Sequence, residues 1–144
     1  MTQMTTLPDT APAPRSVVAQ GDQVTVLLVP ADDTLSVKAT MIGTDRATVL
    51  GLVGDTNTET VFYFSETGAD GAMICPAHGK RSAKHQVNVR ATRIMERFLP
   101  GFAAHSRVHG DAFFVSLNDD PDSDVLYADV AEDVVAFAYR LFGR

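Results

Sequence analysis

Residues 76–117 read PAHGKRSAKHQVNVRATRIMERFLPGFAAHSRVHGDAFFVSL, and the fold of this 144-residue chain turns on how they are parsed. Asn88 suits the N-cap of a helix, because its side-chain oxygen can accept the backbone N–H of Arg90 or Ala91. Ala91, Ile94, Met95, Phe98 and Leu99 then recur at i, i+3, i+4, i+7 and i+8, one apolar stripe at the helical period. Pro100-Gly101 ends that helix. Val108 to Leu117 follows as a strand, with Gly110-Asp111 as a bend or bulge inside it. The stretch therefore supplies a basic loop, an amphipathic helix and a strand.

Upstream, Gln23 to Val29 is an apolar, β-branched run that stops at Pro30 and reads as a buried strand. Ala31 to Thr34 is a turn. Leu35, Val37 and Ala39 alternate with Ser36, Lys38 and Thr40, the period of a half-buried strand, so the two runs predict a hairpin. Thr44 to Val53 reads as a short helix with Thr44 as N-cap, Gly54 just past its end, and Val49, Leu50 and Val53 facing the core. Thr60 to Ser65 (TVFYFS) is a strand, paired with Met73-Ile74-Cys75 across a glycine-rich turn.

Downstream, Asp129 and Glu132 have capping-box spacing and predict a helix from Val130, with Val130, Val134, Phe137, Ala138 and Leu141 as its buried stripe and Gly143 at its end. The predicted order is ββαββαβα. That is an α+β fold, a single small domain over residues 21–144 with a mixed or antiparallel sheet of about five strands and two or three helices packed on it. Residues 1–20 read as a flexible leader, since MTQMTTLPDTAPAPRS carries three of the seven prolines and almost no large apolar side chain.

Charge is unevenly placed. The net charge of −6 argues against a protein that coats nucleic acid with its whole surface. Yet Lys80 to Arg107 holds seven Lys or Arg against Glu96 alone, and Asp111 to Asp133 holds eight acids and no base. Arg90, Arg93 and Arg97 fall off the apolar stripe and are expected on one exposed surface. With Lys80, Arg81 and Lys84 of the preceding loop, they make a candidate anion or partner site at a helix N-terminus, where the free N–H groups and the dipole already favour negative charge. The competing reading is a solvated basic face with no ligand. Asp119, Asp120, Asp122 and Asp124 form the candidate acidic partner face.

The motifs of common chemistry are missing or incomplete. The spacing Cys75-x-x-His78 with His105-x-x-x-His109 occurs in small zinc sites, but a chain this long needs no metal to fold, and hydrogen-bonded or solvated histidines are the better reading. Asp120, Asp122 and Asp124 alternate like calcium ligands, but Pro121 interrupts them, Val125 stands where glycine is required, and Glu132 is one place from the bidentate position. Glycine-rich phosphate loops and nucleophile elbows are lacking in the sequence. No cofactor, metal or catalytic residue is expected, and the chain does not read as an enzyme.

The lone Cys75 excludes an internal disulfide and suits a reducing compartment. No apolar run approaches about 18 residues, and no secretory pattern is visible, so the expected location is the cytoplasm without membrane association.

Four segments carry a family resemblance: VTVLLVP (Val24 to Pro30), LGLVGD (Leu50 to Asp55), NVRATRIM (Asn88 to Met95) and VHGDAFFVS (Val108 to Ser116). Over about Val24 to Asp119 the chain resembles the family known as domain of unknown function 3846, small bacterial proteins found mainly in phages, plasmids and other mobile elements. The chain departs from the family's pattern at Asp55, where a second glycine stands. The resemblance implies a mobile-element origin and a compact α+β fold, and it supplies no activity. Together with the charge map it leads to the expectation of an accessory factor that acts on a host or phage protein. Nucleic-acid or phosphate-ligand binding through residues 80–97 ranks second, because no aromatic residues interleave the basic ones for stacking on bases. Homodimerisation through an unpaired sheet edge is left open.

Overall fold

The computed structural model describes residues 23–55, 57–67, 70–77, 85–118, 122 and 126–143. The expected leader lies outside the described residues. Ten elements follow one another: β1 (Gln23–Val29), β2 (Lys38–Gly43), α1 (Arg46–Val53), β3 (Thr58–Phe64), β4 (Asp70–Pro76), α2 (Val89–Phe98), α3 (Phe102–His105), β5 (Ala112–Leu117), β6 (Tyr127–Ala128) and α4 (Glu132–Phe142). All six strands join one antiparallel sheet in the order β2-β1-β5-β4-β3, with β6 attached to β5. The α+β class and the hairpins β1–β2 and β3–β4 are as the sequence predicts.

The central strand explains the layering. Ala112 to Ser116 are buried one after another, as expected of a strand covered on both faces. Phe114 points to one face with Leu27, Met73 and Tyr63, and there it meets Ala91, Ile94, Met95 and Phe98 of α2 and Val134 and Ala138 of α4. Phe113 and Val115 point to the other, with Val24, Val26, Ala72 and Ile74, under Val53 of α1. Each large side chain buried in this way contributes about 1.5–3 kcal/mol of transfer free energy. Two helices cover the first face and the eight-residue α1 covers only the middle of the second.

Asn88 caps α2 as its sequence demands, with Oδ1 accepting the N–H of Ala91 at 3.0 Å. It does more than cap: its Nδ2 donates to the carbonyls of Val29 (2.7 Å) and Gly110 (2.9 Å), and its own N–H donates to Val108. Thr92 extends the hub, its Oγ1 donating to Asn88 O and accepting from Val108 N–H. A fully buried polar cluster is stable only when its groups are satisfied, and this one ties the start of α2 to the ends of β1 and β5. The expected bend at Gly110 is real, with a φ of 81° that glycine adopts at little cost.

Several boundaries differ from the sequence reading. The second strand starts at Lys38 instead of Leu35, which stays exposed, and it runs on to Gly43. Asp45, not Thr44, caps α1: its carboxylate accepts the N–H and hydroxyl of Thr48 and is held below its ordinary pKa by those bonds. Leu52 packs inside with Val49 and Val53, where Leu50 was expected. The predicted capping box is absent: Ala131 is the N-cap of α4, and the Asp129 carboxylate instead accepts the N–H of Thr25 at 2.8 Å. Gly143 ends α4 without the left-handed turn, at a φ of −70°.

That Asp129 contact marks a fork in the sheet. β1 and β5 pair only from Leu27–Val29 to Ala112–Phe114. Beyond that point β5 pairs with β6 instead, Ser116 opposite Ala128 and Leu117 opposite Tyr127. Thr25 on β1 then bonds residues just after β6, its carbonyl accepting the N–H of Val130 at 2.9 Å.

Candidate functional site

Of the three α2 arginines expected on one exposed face, Arg93 and Arg97 are exposed and Arg90 is not. Arg90 is only 7% exposed and donates through Nη2 to the carbonyls of Pro30 and Asp32 at 2.8 and 3.1 Å. Helical arithmetic explains this: Arg90 stands four residues before Ile94 and eight before Phe98, on the margin of the buried stripe. Arg97 is ion-paired with Glu66 and lies over the rings of Phe98 and Phe137, 5.5 and 5.8 Å from their centroids. Arg93 is exposed, with its guanidinium 5.7 Å from the Phe142 ring. Arg140, within α4, also lies 5.5 Å from the Phe137 centroid. Arg93 on Phe142 and Arg97 on Phe137 join α2 to α4, contacts worth about 0.5–2 kcal/mol each. Lys80, Arg81 and Lys84 lie outside the described residues.

The acids are used in a similar way. Of the predicted acidic face only Asp122 is described, exposed in a turn, while Asp119, Asp120 and Asp124 lie outside the described residues. Asp111 accepts the N–H of Ala31 at 2.9 Å, and Asp133 accepts that of Glu66 at 2.6 Å. Glu66 therefore receives Arg97 on its side chain and gives its N–H to Asp133, so one residue links the basic and acidic segments. Glu96 accepts from the N–H groups of Gly101 and Ala103, which together hold its carboxyl below the ordinary glutamate range. Asp55, where the family resemblance calls for glycine, sits 2.8 Å from Nε2 of His85.

The cysteine and histidines singled out in the sequence are scattered. Cys75 is buried in β4, His105 is exposed at the end of α3, and His109 bridges Val87; His78 lies outside the described residues. Cys75 and His109 border one small cavity of about 20 Å³, room for a single water-sized molecule.

Two features that the sequence reading did not single out stand apart. The first is the outer edge of β3. Val61 and Tyr63 turn inward, and Tyr63 closes over Gly71, where an added Cβ would fall 2.2 Å from its ring. The Tyr63 hydroxyl donates to Val115 O at 3.2 Å, and burial pushes its pKa up. Phe62 and Phe64 turn to the face covered by α1 but lie past its reach, 60% and 64% exposed. Two phenyl rings thus stand exposed on a seven-residue strand that, among the described residues, pairs on one side only. No local pattern marks this, because TVFYF reads as an interior strand and edge position is a property of the whole sheet. The second feature is an open cleft of about 660 Å³ lined by Ala31 and Asp33 of the β1–β2 turn, by Gln86, Val87, Val89 and Arg90, and by Leu141 to Gly143 at the end of α4. Leu141, expected in the core, lines this cleft.

No helix among the described residues is long and apolar enough to cross a membrane. The chain matches no protein-family model and no curated protein. Among solved structures it is similar to the crystal structure of small RNA methyltransferase HEN1, with a TM-score of 0.55 and 20% sequence identity. The match covers 83% of this chain and 16% of that one. At this identity the likeness is one of fold: the chain shares its α+β arrangement with a small part of a much longer protein.

Proposed function

We propose that the chain is a non-enzymatic protein-binding factor, which engages an extended segment of a partner protein by adding it as a further strand alongside β3. The observation that carries this reading is the pair of exposed rings, Phe62 and Phe64, on the unpaired side of the sheet. An edge of this kind offers a row of backbone donors and acceptors for affinity and alternating side-chain positions for specificity. Glu59 is the only charged residue of the strand, so a partner segment of apolar and weakly basic character fits it best. The resemblance of four segments to the domain of unknown function 3846 is what supports a mobile-element origin. In that setting the partner is a host or phage protein and the factor works in the cytoplasm.

A photo-crosslinking amino acid at Phe62, expressed in the producing cells, tests this. One dominant adduct is expected, lost when Val61→Pro removes the strand's regularity, and no adduct is expected from the same probe at Met41 on the opposite edge. Equal labelling from both edges would sink the reading, and an adduct of twice the chain mass would replace the partner with a second copy.

Nucleic-acid binding through Lys80, Arg81, Lys84, Arg90, Arg93 and Arg97 stands second. Exposed Arg93 supports it, and the engagement of Arg90 and Arg97 with protein groups weighs against it. Fluorescence anisotropy with short DNA and RNA at low salt, with Arg93→Glu as control, tests it. Binding that falls steeply with salt is the expected result for that alternative.

A further inference from the structure

The backbone of β3 meets its open edge in a fixed phase. Ala77 N–H donates to Asn57 O at 3.1 Å, one step beyond the Thr58–Pro76 pair of the register, so Asn57 and Ala77 form a hydrogen-bonded pair. Opposed residues of an antiparallel ladder alternate between bonded and unbonded pairs. The bonded ones along β3 are therefore Glu59–Cys75, Val61–Met73 and Tyr63–Gly71. Thr58, Thr60, Phe62 and Phe64 then aim their N–H and C=O groups away from β4, at the open edge. Among the described residues no strand meets them there.

That row of two threonines followed by two phenylalanines is complementary to its own reverse. Let a second copy lie antiparallel to β3 about a two-fold axis at Val61. Thr58 then faces the partner's Phe64 and Thr60 faces the partner's Phe62, and the same contacts recur in the other half. Each exposed ring gains a β-branched neighbour directly across, a favourable cross-strand pair, and the two Phe62 rings become diagonal neighbours about 7–8 Å apart. All seven residues overlap, and the outward residues of both copies exchange their backbone bonds. A slip of two positions in either direction carries one end of each strand past the other. Charge allows the arrangement as well. Glu59, the single charge of the strand, falls across from the partner's Tyr63 and about 13 Å along the strand from the partner's Glu59. One pair of short strands is an interface at the low end of the size range, below about 1,200 Å², so the association is weak and reversible.

We infer that, without a partner protein, two copies of the chain pair through β3 in this register, an isologous dimer that occupies the edge and that a partner segment must displace. The inference rests on the strand-addition reading of β3 and supplies its regulation: the edge is covered where the chain is concentrated and uncovered by dilution or by a better-matched segment.

The test is sedimentation velocity of the full chain from low micromolar concentration to about 1 mM, the weak end of the affinity scale. The wild type is expected to pass from monomer towards dimer. Phe62→Lys changes a side chain that is 60% exposed, sets two like charges on the diagonal, and should raise the midpoint by about tenfold. Register is read separately. In a Cys75→Ser background, Val61→Cys puts its Cα about 4.5 Å from its twin, within reach of a disulfide, and a glutathione redox buffer should link the two copies. Glu59→Cys holds its twins too far apart and should stay unlinked. A wild type that is monomeric at about 1 mM, or a Glu59→Cys variant that links as readily as Val61→Cys, would overturn the inference. A monomer that still gives one dominant partner adduct from Phe62 removes the dimer and leaves strand addition standing. A dimer whose sole adduct is with itself supports the dimer and removes the partner.

Discussion

The two edges of the sheet are built to opposite ends. β2 is blunted: Lys38 opens it, Tyr139 of α4 accepts the N–H of Ala39 on its hydroxyl at 2.8 Å, and Met41 is its one exposed large apolar side chain. β3 has none of these devices. Its residues, TETVFYF, are strong strand formers, it has no Lys or Pro, and its two outward aromatic rings are left in water. Natural sheets commonly guard their edges against unwanted pairing. The proposed strand addition rests on this difference between one guarded edge and one open edge.

The comparison can be broken most forcefully at the residue that holds β3 in place. Tyr63 packs against Phe98 and Phe114 with centroids 6.0 and 5.8 Å away, so Tyr63→Ala should cost about 3–5 kcal/mol in urea unfolding and free the strand altogether. A smaller loss, about 1–3 kcal/mol, is expected for Gly71→Ala, since the new methyl group enters the space of the Tyr63 ring. If that variant unfolds no more easily than the parent, Tyr63 is not the anchor of β3.

The guarded edge yields to Tyr139→Phe, which removes the acceptor for Ala39 at a cost of about 1 kcal/mol or less. The two edges then differ less, and β2 should begin to crosslink weakly from a probe at Met41. At the bottom of the scale, Phe64→Thr should change stability by no more than about 0.5 kcal/mol, because the ring is mostly in water, while weakening partner capture.

A pH series supplies a control remote from both edges. The Glu96 carboxylate is held below its ordinary pKa by two backbone N–H groups. Its contribution is complete above the unfolded value of about 4.3 and is lost as the pH falls through the depressed folded value. Wild type and Glu96→Gln should therefore differ in urea midpoint near neutrality and converge in acid. Divergence on acidification would contradict that assignment.

Much of this architecture can be read in the residues. The Asn88 cap, the stripe from Ala91 to Phe98, the strand Gln23–Val29 and the Gly110 bend all follow from local rules, because in each case the deciding contacts lie within a few positions. What escaped depends on distant groups. The two-residue strand β6 and the four-residue helix α3 are too short to show a period. Asp129 has the spacing of a cap, but Thr25, 104 positions away, takes its carboxylate. Arg90 was misread for a similar cause: its place beside the stripe was visible, but the carbonyls of Pro30 and Asp32 that hold it were not. The pairings among the charges were the least legible, since Arg97 on α2, Glu66 in the β3–β4 turn and Asp133 on α4 meet only in the folded chain.

The fork where β6 separates β1 from β5 bears on how the chain is made. Thr25 is among the first described residues, and the groups that satisfy its backbone, Asp129 and Val130, come more than a hundred positions later. A chain emerging from the ribosome can form the β1–β2 hairpin early, but it must carry half of β1 with open hydrogen-bonding groups until those late residues arrive. Loop closure over that distance makes this joint a slow step of folding. During synthesis β1 is thus a second, temporary pairing surface, one that the finished molecule no longer presents.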